Sequence, residues 1–184
     1  MDDIAIGCRC GQFTARLKAA SRSRGTHIAC HCRDCRSAAL HFGMPDPAPD
    51  GVALYQTTPD RIEILTGQEE LAVMRLSPRG LFRWYARCCD TPICNTLARP
   101  GLPFVGVQVS AIQDPAPLGR VRAHTFLRDP ATGRTMQKGM VAIGAALMTR
   151  MISSRLSGRW RETPFFDPPT GAPVATPVVL DLRP

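Results

Sequence analysis

Eight cysteines fall into three groups, and their spacing is the strongest chemical signal in the chain. The first group is Gly7-Cys8-Arg9-Cys10-Gly11. The second is Cys30-His31-Cys32-Arg33-Asp34-Cys35, and the third is Cys88-Cys89-Asp90-Thr91-Pro92-Ile93-Cys94. Zinc favours tetrahedral sulfur and imidazole ligands, and closely spaced cysteines from separate loops supply them with little ordering cost. A free cysteine usually ends as a small buried hydrophobe. Such cysteines do not gather into C-x-C and C-x-C-x-x-C, so the pattern points to bound zinc. Met1 is followed by Asp2 and Asp3 rather than by a basic and then an apolar run. The expectation is therefore a cytoplasmic protein with reduced thiols rather than disulfides.

Other residues qualify this picture. His31 lies inside C-H-C and suits a supporting role, because cysteines already supply the ligands. His27, His41 and His124 read as ordinary surface or half-buried histidines. Arg9, Arg33 and Arg36 flank the cysteines and suit carboxylates, which guanidinium holds in bidentate fashion; offsetting the thiolate charge is the other reading. Trp84 and Tyr85 read as core or pocket wall. No Ser/His/Asp constellation, phosphate loop or acid/base carboxylate pair stands out.

The formal charge is +8, from 23 basic and 15 acidic side chains. Four thiolates on one zinc and three on another would lower it to about +5. Lys18 and Lys138 are the only lysines, and no basic run alternates with aromatics, which argues against a nucleic-acid partner. The longest apolar stretch, Gly139 to Met148, is short of the roughly 20 residues a bilayer requires, so no membrane role is expected.

The elements that must position these groups are mostly strands. Ile4–Leu17 reads as two strands around a turn at Cys8–Gly11, and Thr26–Ala29 as a strand entering the second cysteine group. Val52–Thr57, Arg61–Leu65, Leu71–Leu76 and Leu81–Tyr85 follow, the last delivering the chain to the third group. Pro103–Ser110, Val121–Phe126 and Val178–Leu182 complete the strand readings. Asp34–Phe42 suits a helical turn or two, and Met44–Gly51, with three prolines, a loop. Thr135–Arg155 is the one long helix candidate, with Met140, Ile143, Leu147, Met151 and Ile152 on one face. That face suits packing on the sheet, with a homodimer contact or a lid as alternatives.

G-x-C-x-C-G, then C-H-C-x-x-C, then an aromatic run into a cysteine motif ending T-P-[LI] resembles the glutathione-dependent formaldehyde-activating enzyme family over roughly residues 4–110. The resemblance implies a mostly β protein, a β-tent of small antiparallel sheets carrying cysteine-bound zinc, here with an added C-terminal helix. It implies a zinc-binding β domain over residues 1–120; residues 121–184, with the long helix and a proline-rich tail, lie outside the resemblance and read as an extension packed on the same domain. It further implies that Cys8 and Cys10 join the third group in a closed structural zinc site. Cys30, Cys32 and Cys35 would then be catalytic, holding a second zinc with an open position for a thiol such as glutathione and its aldehyde adduct. The implied activity is that of a carbon–sulfur lyase.

The third motif departs from C-x-x-C-G-T-P. Aligning Thr91-Pro92-Ile93 makes Cys89 the second cysteine, places Ala86 where the first belongs and puts Asp90 at the glycine. Cys88 is the favoured replacement ligand, forming a set of Cys8, Cys10, Cys88 and Cys89. Cys94 is the alternative, and loss of this zinc a third reading. The altered motif and the basic charge keep open a non-enzymatic, zinc-stabilised binding module for protein or nucleic acid. A redox or metal-handling protein working through exposed thiolates is a further alternative.

Overall fold

The computed structural model describes residues 3–129 and 131–180, Ala142 by its backbone alone. Strands are β1 (Ile4–Gly7), β2 (Thr14–Leu17), β3 (Thr26–Cys30), β4 (Val52–Thr57), β5 (Ile62–Thr66), β6 (Leu71–Arg75) and β7 (Phe82–Ala86). β8 (Thr91–Thr96), β9 (Val105–Gln108), β10 (Ala123–Arg128), β11 (Thr135–Lys138) and β12 (Val178–Val179) follow. Two α-helices are present, α1 (Arg33–His41) and α2 (Met140–Leu156).

The strands form one three-stranded sheet, β1-β2-β5, and one nine-stranded sheet, β11-β10-β3-β4-β9-β8-β7-β6-β12. The mostly β reading holds. The second sheet, however, is neither small nor wholly antiparallel, because β10 runs parallel to β3 and β12 parallel to β6. Both parallel pairings recruit segments beyond residue 121, so this part of the chain joins the larger sheet at its two sides.

The main core lies among the β1-β2-β5 sheet, the central strands of the larger sheet and the segment around Phe165. Trp84, Phe13, Tyr55 and Phe165 are its largest fully buried side chains. The Trp84 indole donates to Thr96 Oγ1 at 2.9 Å, which satisfies its N–H inside the core. Phe165 stacks on Trp84 with ring centroids 5.1 Å apart, and Phe166 packs on Phe82. Burying each such ring stabilises the fold by roughly 1.5–3 kcal/mol, and this anchors a proline-rich tail that has little regular structure of its own.

Two local rules changed the element boundaries. Gly139 sits at φ +77, and a Cβ there would lie 2.6 Å from the Arg122 carbonyl oxygen. The helix read from Thr135 therefore begins at Met140, and Thr135–Lys138 is strand instead. Of the face assigned to α2, Ile143 is buried and Met140, Leu147 and Met151 are half-buried, whereas Ile152 is exposed. β8 is a strand the sequence pattern does not announce, because all six residues of its Thr-Pro-Ile-Cys-Asn-Thr run are buried and no polar alternation marks it. Of Val178–Leu182, residues 181 and 182 lie outside the described residues. Among the described residues, no helix is long and apolar enough to cross a membrane.

Candidate metal centres and their flanking cleft

The β1–β2 turn carries Cys8 and Cys10. Cys8 N donates to the Phe13 carbonyl, Gly11 N donates to the Cys8 carbonyl, and Phe13 N donates to Cys8 Sγ at 3.3 Å. Gly11, at φ +80, allows the sharp turn that aims both sulfurs the same way. The β7–β8 turn supplies Cys88 and Cys89. Asp90 closes it at φ +53, a left-handed conformation that Asp tolerates better than most side chains. That turn lets adjacent residues direct their sulfurs to one point, with Cys88 Sγ and Cys89 Sγ 3.9 Å apart.

The Sγ of Cys8 lies 3.5 Å from that of Cys10 and 3.7 Å from that of Cys88, and Cys10 lies 3.3 Å from Cys88. All four sulfurs fall within 4.8 Å of one another. Zinc–sulfur bonds of about 2.3 Å at tetrahedral angles require sulfur–sulfur edges of about 3.8 Å. The four-cysteine set fits a metal ion of that kind. Arg9 closes the rim, its guanidinium donating to the Cys89 carbonyl at 2.6 Å and its backbone N–H to Thr91 Oγ1. Ala86 is fully buried on β7 opposite Thr91, and Cys94 is buried within the main core, apart from the four sulfurs. Of the two candidates for the missing ligand, Cys88 is the one brought to the cluster.

The second cluster forms where β3 meets α1. Cys30 ends the strand, Cys32 is the N-cap of α1, and Cys35 lies in the first turn. The Cys32 sulfur accepts from Cys35 N at 3.3 Å, so the helix N-terminus, with its partial positive charge, faces a cysteine cluster. Cys30 Sγ and Cys32 Sγ are 3.4 Å apart, and the three sulfurs lie within 4.8 Å of one another. Cys30 and Cys35 are buried and Cys32 half-buried. Three protein sulfurs fit a metal ion with one position left for another ligand.

The thiols of Cys32 and Cys35 hydrogen-bond the Cys30 sulfur and hold its pKa far below the usual thiol range. Cys35, bonded to Cys30 and then to Cys32 and desolvated by burial, is pushed well above it. One thiolate is thus stable in the cluster without a cation, and three are not; like charges this close need a positive ion between them.

The cluster borders an open cleft of about 810 Å³, lined by His31, Cys32, Arg33, Arg36 and Arg128 among others. Arg36 is committed to Asp46 through two short contacts, at 2.8 and 2.6 Å, so its role is to latch the 43–51 loop rather than to stand free for substrate. His124, read from the sequence as an ordinary histidine, is half-buried and pairs with His31. Its Nδ1 lies 3.0 Å from His31 Nε2, with the rings stacked at 5.3 Å. The parallel pairing of β10 with β3 places it there, with His124 opposite Ala29 and His31 N donating to the Thr125 carbonyl. No local motif foretells a pairing between strands about 95 residues apart. His27 bonds the Gly119 carbonyl through Nδ1, and His41 packs edge-on to Phe42.

Comparisons with known proteins add a family and a distant structural likeness. The model of a family of unknown function, DUF6151, matches residues 2–175. Among solved structures, the chain is similar to a Rhodobacter sphaeroides protein determined by crystallography. The two share 18% identity at a TM-score of 0.44, over 64% of this chain and 97% of that one. No curated protein matches the chain in sequence.

Proposed function

The chain belongs to the DUF6151 family of unknown function, and we propose that it is a zinc protein similar to the glutathione-dependent formaldehyde-activating enzymes, acting on thiol–aldehyde adducts. In this reading Cys8, Cys10, Cys88 and Cys89 hold a structural zinc, and Cys30, Cys32 and Cys35 hold a second zinc at a β-tent active site. The observation that carries the proposal is the three-sulfur cluster beside an open cleft lined by arginine and histidine. Four protein ligands close a metal, whereas three leave it open to a ligand from the cleft.

Zinc on three thiolates would act as a Lewis acid and favour the ionised form of a thiol. The protein's own groups supply the rest. Arg33 and Arg128 give the cleft a positive potential that draws a carboxylate-bearing thiol such as glutathione. The His31–His124 pair holds a proton between Nε2 and Nδ1 and serves as base. In adduct cleavage the hydroxyl proton passes to this pair and the carbon–oxygen double bond forms. The carbon–sulfur bond breaks, and its electron pair stays on the departing thiolate. The pair returns its proton to that sulfur, and the products are the free aldehyde and the thiol. The test is turnover of the hydroxymethyl adduct of glutathione by metal-replete protein, lost in Cys32→Ser. Absence of turnover across a panel of thiol adducts would refute the lyase reading.

A second reading is favoured by α2. Val141, Met148, Ile152 and Leu156 are exposed apolar residues along one helix, a surface suited to a protein contact or a homodimer. On this reading the zinc sites only stabilise a binding module. Unchanged partner capture by a Cys32→Ser variant that lacks any thiol chemistry would support it.

A further inference from the structure

A second cavity lies on the opposite face of α1 from the arginine-lined cleft, between α1, the 43–51 loop and the strands β4, β7, β8 and β9. Its volume is about 150 Å³, the size of a cavity that holds a molecule such as benzene. Ala38, Phe42, Met44 and Val52 form apolar walls. Arg83, Asn95 and Gln108 add polar groups.

Arg83 is the unusual member. It is only 4% exposed, and arginine is rarely buried so deeply without a counter-ion. No carboxylate among the described residues pairs with it. Its one hydrogen-bond partner among them is Cys35 Sγ, at a distant 4.0 Å. Asn95 is 3% exposed, and no hydrogen bond joins its side chain or that of Gln108 to another described residue. A guanidinium and two amides, little exposed as residues and short of protein partners, therefore line a small, mainly apolar cavity with polar atoms open to it.

We propose that this chamber binds a small organic monocarboxylate, its carboxylate on Arg83 and its apolar body against α1 and Val52. Guanidinium matches a carboxylate through two parallel hydrogen bonds, and the Asn95 and Gln108 amides offer further donors. The apolar walls select a compact hydrocarbon body and disfavour a multiply charged anion, whose desolvation they do not offset. The site stands apart from the thiol–aldehyde reading, since it uses none of the cysteines as ligands and does not open through the arginine-lined cleft.

The test is calorimetric titration of the full-length, metal-replete protein with butyrate and benzoate, each beside its neutral amide. The carboxylates are expected to bind, and butyramide and benzamide to bind at least tenfold more weakly. Arg83→Gln is expected to weaken carboxylate binding roughly 10–100-fold, as removal of a charged hydrogen-bond donor does. Ala39→Leu, which fills the chamber from α1 and keeps Arg83, is expected to abolish binding with metal content unchanged. Equal binding of acid and amide would overturn the proposal, as would preference for inorganic phosphate or undiminished binding in both variants. No carboxylate binding by the parent protein, with loss of metal in Arg83→Gln, would also overturn it and would reduce Arg83 to a counter-charge for Cys35. Cys32→Ser is expected to leave carboxylate binding intact even if every thiol–aldehyde assay fails.

Discussion

The sulfur of Cys10 lies 3.3 Å from that of Cys88, although 78 residues separate them. The contact ties the β1–β2 turn to the β7–β8 turn, and so ties the small sheet to the large one. Removing it weakens the join between two layers that otherwise meet through the core. Cys10→Ser is expected to lose one metal per chain and to destabilise the fold by more than about 4 kcal/mol, the range of a lost structural metal. Cys94→Ala is the matched control. It deletes a buried core sulfur and is expected to cost about 1 kcal/mol while metal content is unchanged. Chemical denaturation with parallel metal analysis separates the two.

Much of this site was legible in the cysteine spacing, because ligand pairs are local motifs set by turns. Cys8 and Cys10 need only Gly11, and Cys30, Cys32 and Cys35 need only a strand running into a helix N-terminus. The choice of Cys88 over Cys94 was legible only as a preference. It depends on β8 beginning at Thr91, which carries Cys94 away into the core. The pairing of His124 with His31 was hidden for a similar reason, since it follows from a parallel strand pairing that no periodicity encodes. Gly139 could have warned that the long helix begins after it.

Metal removal has a proton signature. Without a cation the Cys30 sulfur remains the ionised member and Cys35 favours its protonated form. Stripping the metal with a chelator in weakly buffered solution is therefore expected to consume protons, and adding zinc back to release them. A pH-stat records both directions. No proton exchange would contradict ligation by thiolates.

The histidine pair makes a kinetic prediction. His124→Phe removes the partner of His31 Nε2 and leaves every cysteine in place. Turnover of a thiol–aldehyde adduct is expected to fall by about 10²-fold, with metal content unchanged. Undiminished turnover would remove the pair from the proposed chemistry.

The loop latch is testable by titration. The Arg36 guanidinium holds the Asp46 carboxyl at about 2, against an ordinary value of about 3.9. A depressed folded-state value stabilises the native protein above the ordinary value, and the contribution is lost as pH falls toward 2. Carboxyl-detected NMR is expected to show Asp46 titrating near 2, and rising toward the ordinary value in Arg36→Gln, where the Ala48 N–H still holds it lower. The stability change is expected to be small, since both partners are substantially exposed.

The most direct measurement is metal content per chain, by mass spectrometry on protein purified without added zinc or chelator. Two zinc ions per chain are expected, falling to one in Cys32→Ser. A folded protein that carries no metal would contradict the account at its centre.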